Sequence, residues 1–440
     1  MRLLIVTKGY PPRNSARSLQ VQKVAEAIQS AGVDVRVIAG LEKKVARNQG
    51  VLSDGHVVYV PYRCLRDGVR FIGRALRFLD DEIGSINYRD GWVRRSATEV
   101  LKQVETFRPD CLLTSSMPFQ SHLVGLRVKH STGLPWIASF SDPWPYSLCP
   151  RPYYRQPVLG LGGMRMAALA RVIHACDAVH MPSRHGIDWT AAASGLPMER
   201  KGFAIPHIGL ALQPEVAGQQ YAGWLAHVGH LSRERASAPV LRGVETAYRQ
   251  FPQRFRGLLC VGQVCPEFKE MVHDMGLDHI VRFTGKLAAA EAAAVLISVT
   301  ASLVIEADMD ISPFLPSKFA DYALAGKPII AVTPPRSGIR DYLTRHGGGW
   351  AVRHDAEEIA GAITSILVRG DADGLAHAGV NGQLAEVFSP TTVGNQYREL
   401  VWRAVAGKVD LKDCAVSACN PVAIPSGPLL RISQEQPDVL

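Results

Sequence analysis

The stretch from Ser312 to Val332 constrains the fold of this 440-residue chain more than any other, because it runs from a polar loop through a short helix directly into a buried strand. Ser317 is a candidate N-cap, and Phe319, Tyr322 and Ala323 share one apolar face at helical spacing. Gly326 then supplies a helix stop, and Pro328 forbids continuation. Ile329 to Val332 is the next strand. A loop that enters a helix in this way aims several backbone N–H groups and the positive end of the helix dipole at one point. Such a point suits a diphosphate. Lys318 and Asp321, three residues apart, share a helix edge. The lysine is a cation matched to phosphate, and the aspartate can accept from both hydroxyls of a ribose. A generic αβ unit with a charged helix face is the alternative reading.

The same pattern recurs along the chain. Leu3 to Thr7 reads as a strand, Lys8 to Arg17 as a loop, and Val21, Val24, Ala25 and Ile28 as the buried face of a helix that ends at Gly32 before a second strand, Val33 to Ala39. Pro109 to His122 and Leu134 to Trp144 are two more strands that open into polar loops, the position at which open parallel sheets bind ligands. A second α/β series starts at Leu225, with a helix from about Ala238 to Gln250 and strands at Leu258 to Gly262 and Val281 to Lys286. These features predict two Rossmann-like domains, residues 1–200 and 205–388, with a boundary near 195–220. A helix over 389–405 presents Val393, Tyr397, Leu400 and Val401 on one side. Residues 406–440 hold Pro421, Pro425, Pro428 and Pro437 without periodicity and read as a flexible tail.

Composition bounds the function. With 47% hydrophobic and 20% charged residues the chain fills globular cores, which excludes disorder of the whole. The longest apolar run, Ala292 to Ile305, mixes small and polar residues and stops at Glu306, short of the ~18–20 residues a membrane span needs. The apolar run after Met1 is too short for a signal peptide and lacks a cleavage site, so a cytoplasmic protein is expected. The net charge of +9 favours diphosphate substrates and peripheral contact with an anionic membrane. The basic residues are dispersed and form no zinc-finger, basic-zipper or RNA-recognition pattern, which argues against nucleic acid. The eight cysteines include no Cys-x-x-Cys pair or zinc-like spacing, so core thiols rather than a metal site are expected.

The segment Lys318 to Pro328 resembles the donor-site motif of retaining glycosyltransferases of family 4, which have the two-domain GT-B fold. In that motif two acids stand eight apart before a small-residue helix end and Gly-x-Pro. Counting back from Gly326 places the second acid at Asp321 and the first at Pro313, a departure from the pattern for which Asp310 is a substitute. Pro316-Ser317-Lys318 matches a sequence common in one branch of the family, and Asp142-Pro143-Trp144 resembles a strand end found there near the acceptor. The loop Lys8 to Arg17 resembles the family's Tyr-Pro-Pro loop without its adjacent glycines, with Gly9 and Ser15 leaving room for a ligand.

The resemblance implies an α/β GT-B protein whose two domains face each other across a cleft. It implies a nucleotide-sugar donor, a glycan, lipid-linked or small-molecule acceptor, retention of configuration, and neither metal nor cofactor. Arg235, six residues after Gly229, takes the donor-phosphate position, with Arg233 as fallback and an exposed helix-start arginine as the plain reading. The donor set is completed by Ser312, Phe314 and Leu315 around the loop, Lys318, Asp321, and Gly285 and Lys286 in the element whose backbone reads the base. Asp142, Arg235 and Lys318 are the catalytic candidates. Gly9, Ser15, Arg17, His122 and Asp142 form the acceptor side. An Asx turn is the alternative for Asp142, and capping or packing for His122. A catalytically inactive sugar-nucleotide-binding protein and a sugar-nucleotide epimerase are the other readings.

Overall fold

Strands that are apolar on both faces need helices on both sides, and this requirement produces two parallel sheets in the computed structural model, which describes residues 1–13, 15–42, 55–62, 84–157, 160–210, 219–372 and 382–407. The first sheet holds β1 (Arg2–Thr7), β2 (Asp34–Glu42), β3 (Val57–Tyr62), β4 (Cys111–Ser115), β5 (Trp136–Ser139), β6 (Ala178–Met181) and β7 (Gly202–Ala204), in the order β3-β2-β1-β4-β5-β6-β7. The second holds β8 (Trp224–Val228), β9 (Gly257–Val261), β10 (Val281–Gly285), β11 (Ala301–Ile305), β13 (Ile329–Val332) and β15 (Gly349–Val352), in the order β10-β9-β8-β11-β13-β15. Two short strands, β12 (Ile311–Ser312) and β14 (Arg336–Ser337), pair with each other.

Helices α1 (Ala16–Ser30), α2 (Gly91–Thr106), α3 (Gln120–Thr132), α4 (Gly162–Ala175) and α5 (Arg184–Ser194) accompany the first sheet. Accompanying the second are α6 (Ala238–Gln250), α7 (Pro266–Asp274), α8 (Ala289–Ser298), α9 (Ser317–Leu324), α10 (Gly338–His346) and α11 (Ala356–Ala372). The described chain ends with α12 (Gly382–Val387) and α13 (Pro390–Val405). Beyond Gly407, the expected tail lies outside the described residues. No helix among the described residues is long and apolar enough to cross a membrane.

The alternation along β1 shows how the layers form. Leu4 and Val6 join Trp92, Leu123 and Leu169 in one core, while Leu3 and Ile5 join Val21 and Ile28 of α1 in another. Val393, Tyr397, Leu400 and Val401 of α13 belong to that second core, so the last helix covers the first sheet. Gly394 permits the approach, since a Cβ there would lie 2.4 Å from the Ala27 carbonyl. Cys111, Cys149, Cys176, Cys260 and Cys265 are buried free thiols.

Strand order reverses once in each sheet, between β1 and β4 and between β8 and β11. The loops that leave these strands at their carboxyl ends diverge there, the position at which open parallel sheets form a ligand-binding crevice. Two local expectations are corrected. Ser317 does not cap α9: Pro316 occupies the cap without any side-chain hydrogen bond, because the chain leaves that proline already aimed into the helix. His122 is not on the acceptor side of a cleft; it is fully buried, between Phe119 and Phe140, with Nδ1 2.8 Å from Thr114 Oγ1.

Burial pulls the pKa of His122 down to about 3 and that of His180 to about 4, from an ordinary 6.5. The unfolded chain therefore binds more protons below pH 6.5 than the native one. The stabilisation is full above that pH and falls toward pH 4, by up to ~1.4 kcal/mol per pH unit for each histidine. Urea unfolding across this window should show the loss, and His122→Gln should flatten the slope; a stability independent of pH here contradicts neutral burial.

Candidate active site

The second crevice is built on the end of β8. Both backbone polar groups of Val228 bond to the Tyr322 phenol, its N–H donating at 2.7 Å and its carbonyl accepting at 2.9 Å, which fixes α9 against the strand. Gly229 follows at φ +123°, and a Cβ there would stand 3.2 Å from Lys318 Cε and Nζ. Glycine is thus required for the turn, and its missing Cβ leaves room for the end of the lysine. Lys318 Nζ lies 2.9 Å from His227 Nε2 and donates to the His230 carbonyl at 3.2 Å. His227 Nδ1 is 3.1 Å from the Leu303 carbonyl, which can only accept, so Nδ1 carries the proton and Nε2 offers its lone pair to the lysine. Burial and the Lys318 charge hold this imidazole neutral by driving its pKa well down. Burial, followed by the charge of Arg235, likewise drives the Lys318 pKa well below its ordinary value.

Arg235 ends a single 3-10 turn, Arg233–Arg235, and its Nε donates to Tyr153 Oη at 3.0 Å. Arg233 turns away to Glu267. Beneath the crevice sits Glu306, 2% exposed, which accepts from Ser312 Oγ at 2.5 Å and from Thr333 Oγ1. Burial raises its pKa above the usual carboxylate range. Ser312 Oγ in turn accepts from the Phe314 N–H at 3.3 Å, which corrects one expectation: that N–H is committed within its own loop rather than presented to a diphosphate. The Pro313 carbonyl accepts from Ser183 Oγ of the first half at 3.2 Å, and the Leu315 side chain is buried. The loop is therefore held from below and from across the cleft. α9 has no capping side chain, and of its first-turn N–H groups that of Phe319 donates to the Pro316 carbonyl at 3.0 Å.

Asp321 differs most from expectation. Its Oδ1 accepts from the Leu210 N–H at 2.8 Å and from Lys23 Nζ of α1 at 3.3 Å, because the short side chain reaches the segment connecting the halves. The acceptor of two ribose bonds is reduced to Oδ2. Burial raises the pKa of this carboxyl, against the lowering effect of Lys23. Gly285, at φ +71°, and Lys286 are exposed at the end of edge strand β10, where the Gly285 carbonyl accepts from the Gly262 N–H at 2.8 Å. Asp310 is exposed.

In the first crevice Arg17 Nη1 donates to the Ser116 carbonyl, and Nη2 lies 3.3 Å from Asp142 Oδ2. Ser141 Oγ donates to the same carboxylate at 2.9 Å. Burial lowers the Arg17 pKa and Asp142 opposes the shift. Gly9 is close by in sequence, its N–H bonded to Thr7 Oγ1 at 3.2 Å. Ser15 serves α1 as N-cap, accepting from the Ser18 N–H at 3.2 Å, so its hydroxyl is committed to the helix. A cavity of about 40 Å³ beneath this crevice is lined by Arg17, Ser139, Ser141, His180, His207 and Tyr397. Burial lowers the His207 pKa to about 3, against a small raising effect of the nearby Leu315 backbone. Among the described residues, no group of three or more His, Cys, Asp or Glu side chains is placed to hold a metal ion.

Residues 18–201 match the model of the glycosyl transferase 4-like domain. No curated protein sequence matches the chain at a significant level. Among solved structures, Anabaena HepE in complex with UDP is similar at a TM-score of 0.60 and 13% identity, covering 91% of this chain and 100% of that one. Sucrose-phosphate synthase from Thermosynechococcus elongatus aligns at 0.57 and 17%, covering 92% and 96%. A putative UDP-N-acetylglucosamine 2-epimerase from Listeria monocytogenes aligns at 0.54 and 11%, covering 91% and 96%. The fold is GT-B.

Within this GT-B frame, four residues escaped the sequence reading. His227 had a signal, a histidine inside an otherwise apolar strand, and so did Glu306, a carboxylate directly after one. Tyr153 and His207 had none, because their neighbours Arg235 and Leu315 are remote in sequence.

An anion placed between Lys318 and Arg235 raises the lysine pKa again. Binding of a nucleoside diphosphate should therefore take up protons, and affinity should rise as pH falls toward the depressed Lys318 value. Calorimetry in buffers of different ionisation enthalpy measures the uptake, which Lys318→Ala should abolish.

Proposed function

We propose that this GT-B protein is a glycosyltransferase that moves a sugar from a nucleotide-sugar to a glycan, lipid-linked or small-molecule hydroxyl with retention of configuration. The observation that carries the reading is the placement of Lys318 and Arg235 at the uncapped start of α9, where the crevice of the second sheet opens. Two cations and a helix N-terminus suit the charge that grows on a departing diphosphate. UDP bound to the similar Anabaena protein supports a nucleotide diphosphate in this fold.

Arg235 and Lys318 take the leaving-group charge, and no metal or other cofactor is assigned to that task. Asp321 holds one ribose hydroxyl through Oδ2. The base is read near Gly285 and Lys286. With proline at position 313, the hexose rests on the backbone of the 312–315 loop and on Asp310. The acceptor enters over Gly9 and the Arg17–Asp142 pair, and its hydroxyl attacks on the face that the diphosphate leaves. The basic surface brings the enzyme to the cytoplasmic face of an anionic membrane, in glycoconjugate or polysaccharide synthesis.

Pro313 favours a second reading, a protein that binds a sugar-nucleotide without transferring it. Similarity to an epimerase structure keeps that class in the test. Incubation with UDP-, GDP-, ADP- and dTDP-sugars followed by product analysis separates the three: a new glycoside, an epimerised donor, or an unchanged one. In an active enzyme Arg235→Ala and Lys318→Ala should each cost ~2–4 kcal/mol of transition-state stabilisation with native melting. Unchanged turnover in both removes the assignment.

A further inference from the structure

One excursion of the first half serves both crevices. After β5 the chain passes Asp142, makes a single turn at Tyr146–Leu148 and folds back through a turn in which the Tyr153 N–H donates to the Pro150 carbonyl at 2.9 Å. It is tied down along its length. Trp189 Nε1 donates to the Leu148 carbonyl at 2.6 Å, the Arg155 N–H to the Tyr146 carbonyl at 3.3 Å, and the Arg155 guanidinium lies 5.1 Å over the Tyr146 ring. From this anchored base Tyr153 reaches the second half. Its hydroxyl accepts from Arg235 Nε, and its ring meets Phe314 edge-on with centroids 5.0 Å apart.

We propose that Tyr153 is a positioning residue of the donor site: by occupying Arg235 Nε it turns the forked Nη edge of the guanidinium to the diphosphate. This rests on the transferase reading above. Among the described residues Nη1 and Nη2 make no hydrogen bond, while Nε is spoken for, so the pair available to a phosphate is the forked one. A guanidinium on a flexible stem would otherwise lose rotamer freedom on binding each phosphate. Burial raises the Tyr153 pKa, so the group stays a neutral phenol and keeps a lone pair for the arginine. Since the phenol comes from the first half and the arginine from the second, the donor site is complete only when both are in place.

The test is a double-mutant cycle on the full chain. UDP, GDP, ADP and dTDP are titrated by calorimetry into wild type, Tyr153→Phe, Arg235→Gln and the double variant, with the matching monophosphates as controls. Phenylalanine keeps the ring on Phe314 and removes only the hydroxyl, so the fold persists. Tyr153→Phe should weaken the tightest diphosphate about 3- to 10-fold, leave its monophosphate unchanged, and have no further effect once Arg235 is glutamine. Unchanged or tighter diphosphate binding, equal loss for the monophosphate, or the same loss in the glutamine background overturns the inference and leaves the donor assignment standing. If Arg235→Gln alone leaves diphosphate affinity at the wild-type value, the donor assignment itself falls.

Discussion

The hydroxyl of Tyr322 sits where a strand partner is missing. β8 pairs with β11 only through Leu225 and Ala226, so the ladder has parted by Val228, and the sheet splays at its switch point. A buried backbone N–H or carbonyl left unpaired costs ~1–3 kcal/mol. The phenol serves both groups of Val228, and in doing so decides where α9 begins. The position of Lys318 follows from that, with Gly229 leaving space and His227 and His230 supplying the acceptors. The crevice that the fold must open is the one that its own repair equips with a cation.

The charges beneath the crevice are arranged asymmetrically. Among the described residues, two cations face one buried carboxylate, Glu306, whose oxygens already accept from Ser312 and Thr333. Burial opposes charge on Lys318 and on Glu306 alike, so in the empty protein each ionised group is held at a cost. An entering dianion relieves that cost on the cationic side. The first crevice is balanced instead, with Arg17 compensated by Asp142. A polar neutral ligand suits the balanced Arg17–Asp142 environment, as an anion suits the one around Lys318.

The layers of the fold were legible in the sequence because they follow from periodicity. β1, α1, α9 and β13 all appear where apolar spacing placed them, since each buries a face that only one arrangement can cover. Lys318, read from the Pro316-Ser317-Lys318 match, lies in the first turn of α9. Interactions between remote segments were not legible. Asp321 was read as facing a ligand, yet the Leu210 N–H and Lys23 claim one of its oxygens, and no local pattern announces them. His122 lies in a polar stretch and still turns into the core, because aromatic neighbours on both sides form its slot. Ser317 misled in the opposite way: it is a good cap by type, but the proline before it had already set the helix entry.

The packing of α13 has a bearing on how the protein is made. Val393, Tyr397, Leu400 and Val401 complete the core beneath Leu3, Ile5, Val21 and Ile28, so the first sheet to leave the ribosome is sealed by the last of the described helices. Throughout synthesis of the second half, the part of that core which α13 fills is left uncovered. Exposed apolar surface on a nascent chain is what chaperones bind and what aggregation begins from. The two halves are consequently unequal as autonomous folding units. The second can close its sheet from consecutive residues, while the first must wait for a segment translated after the second half.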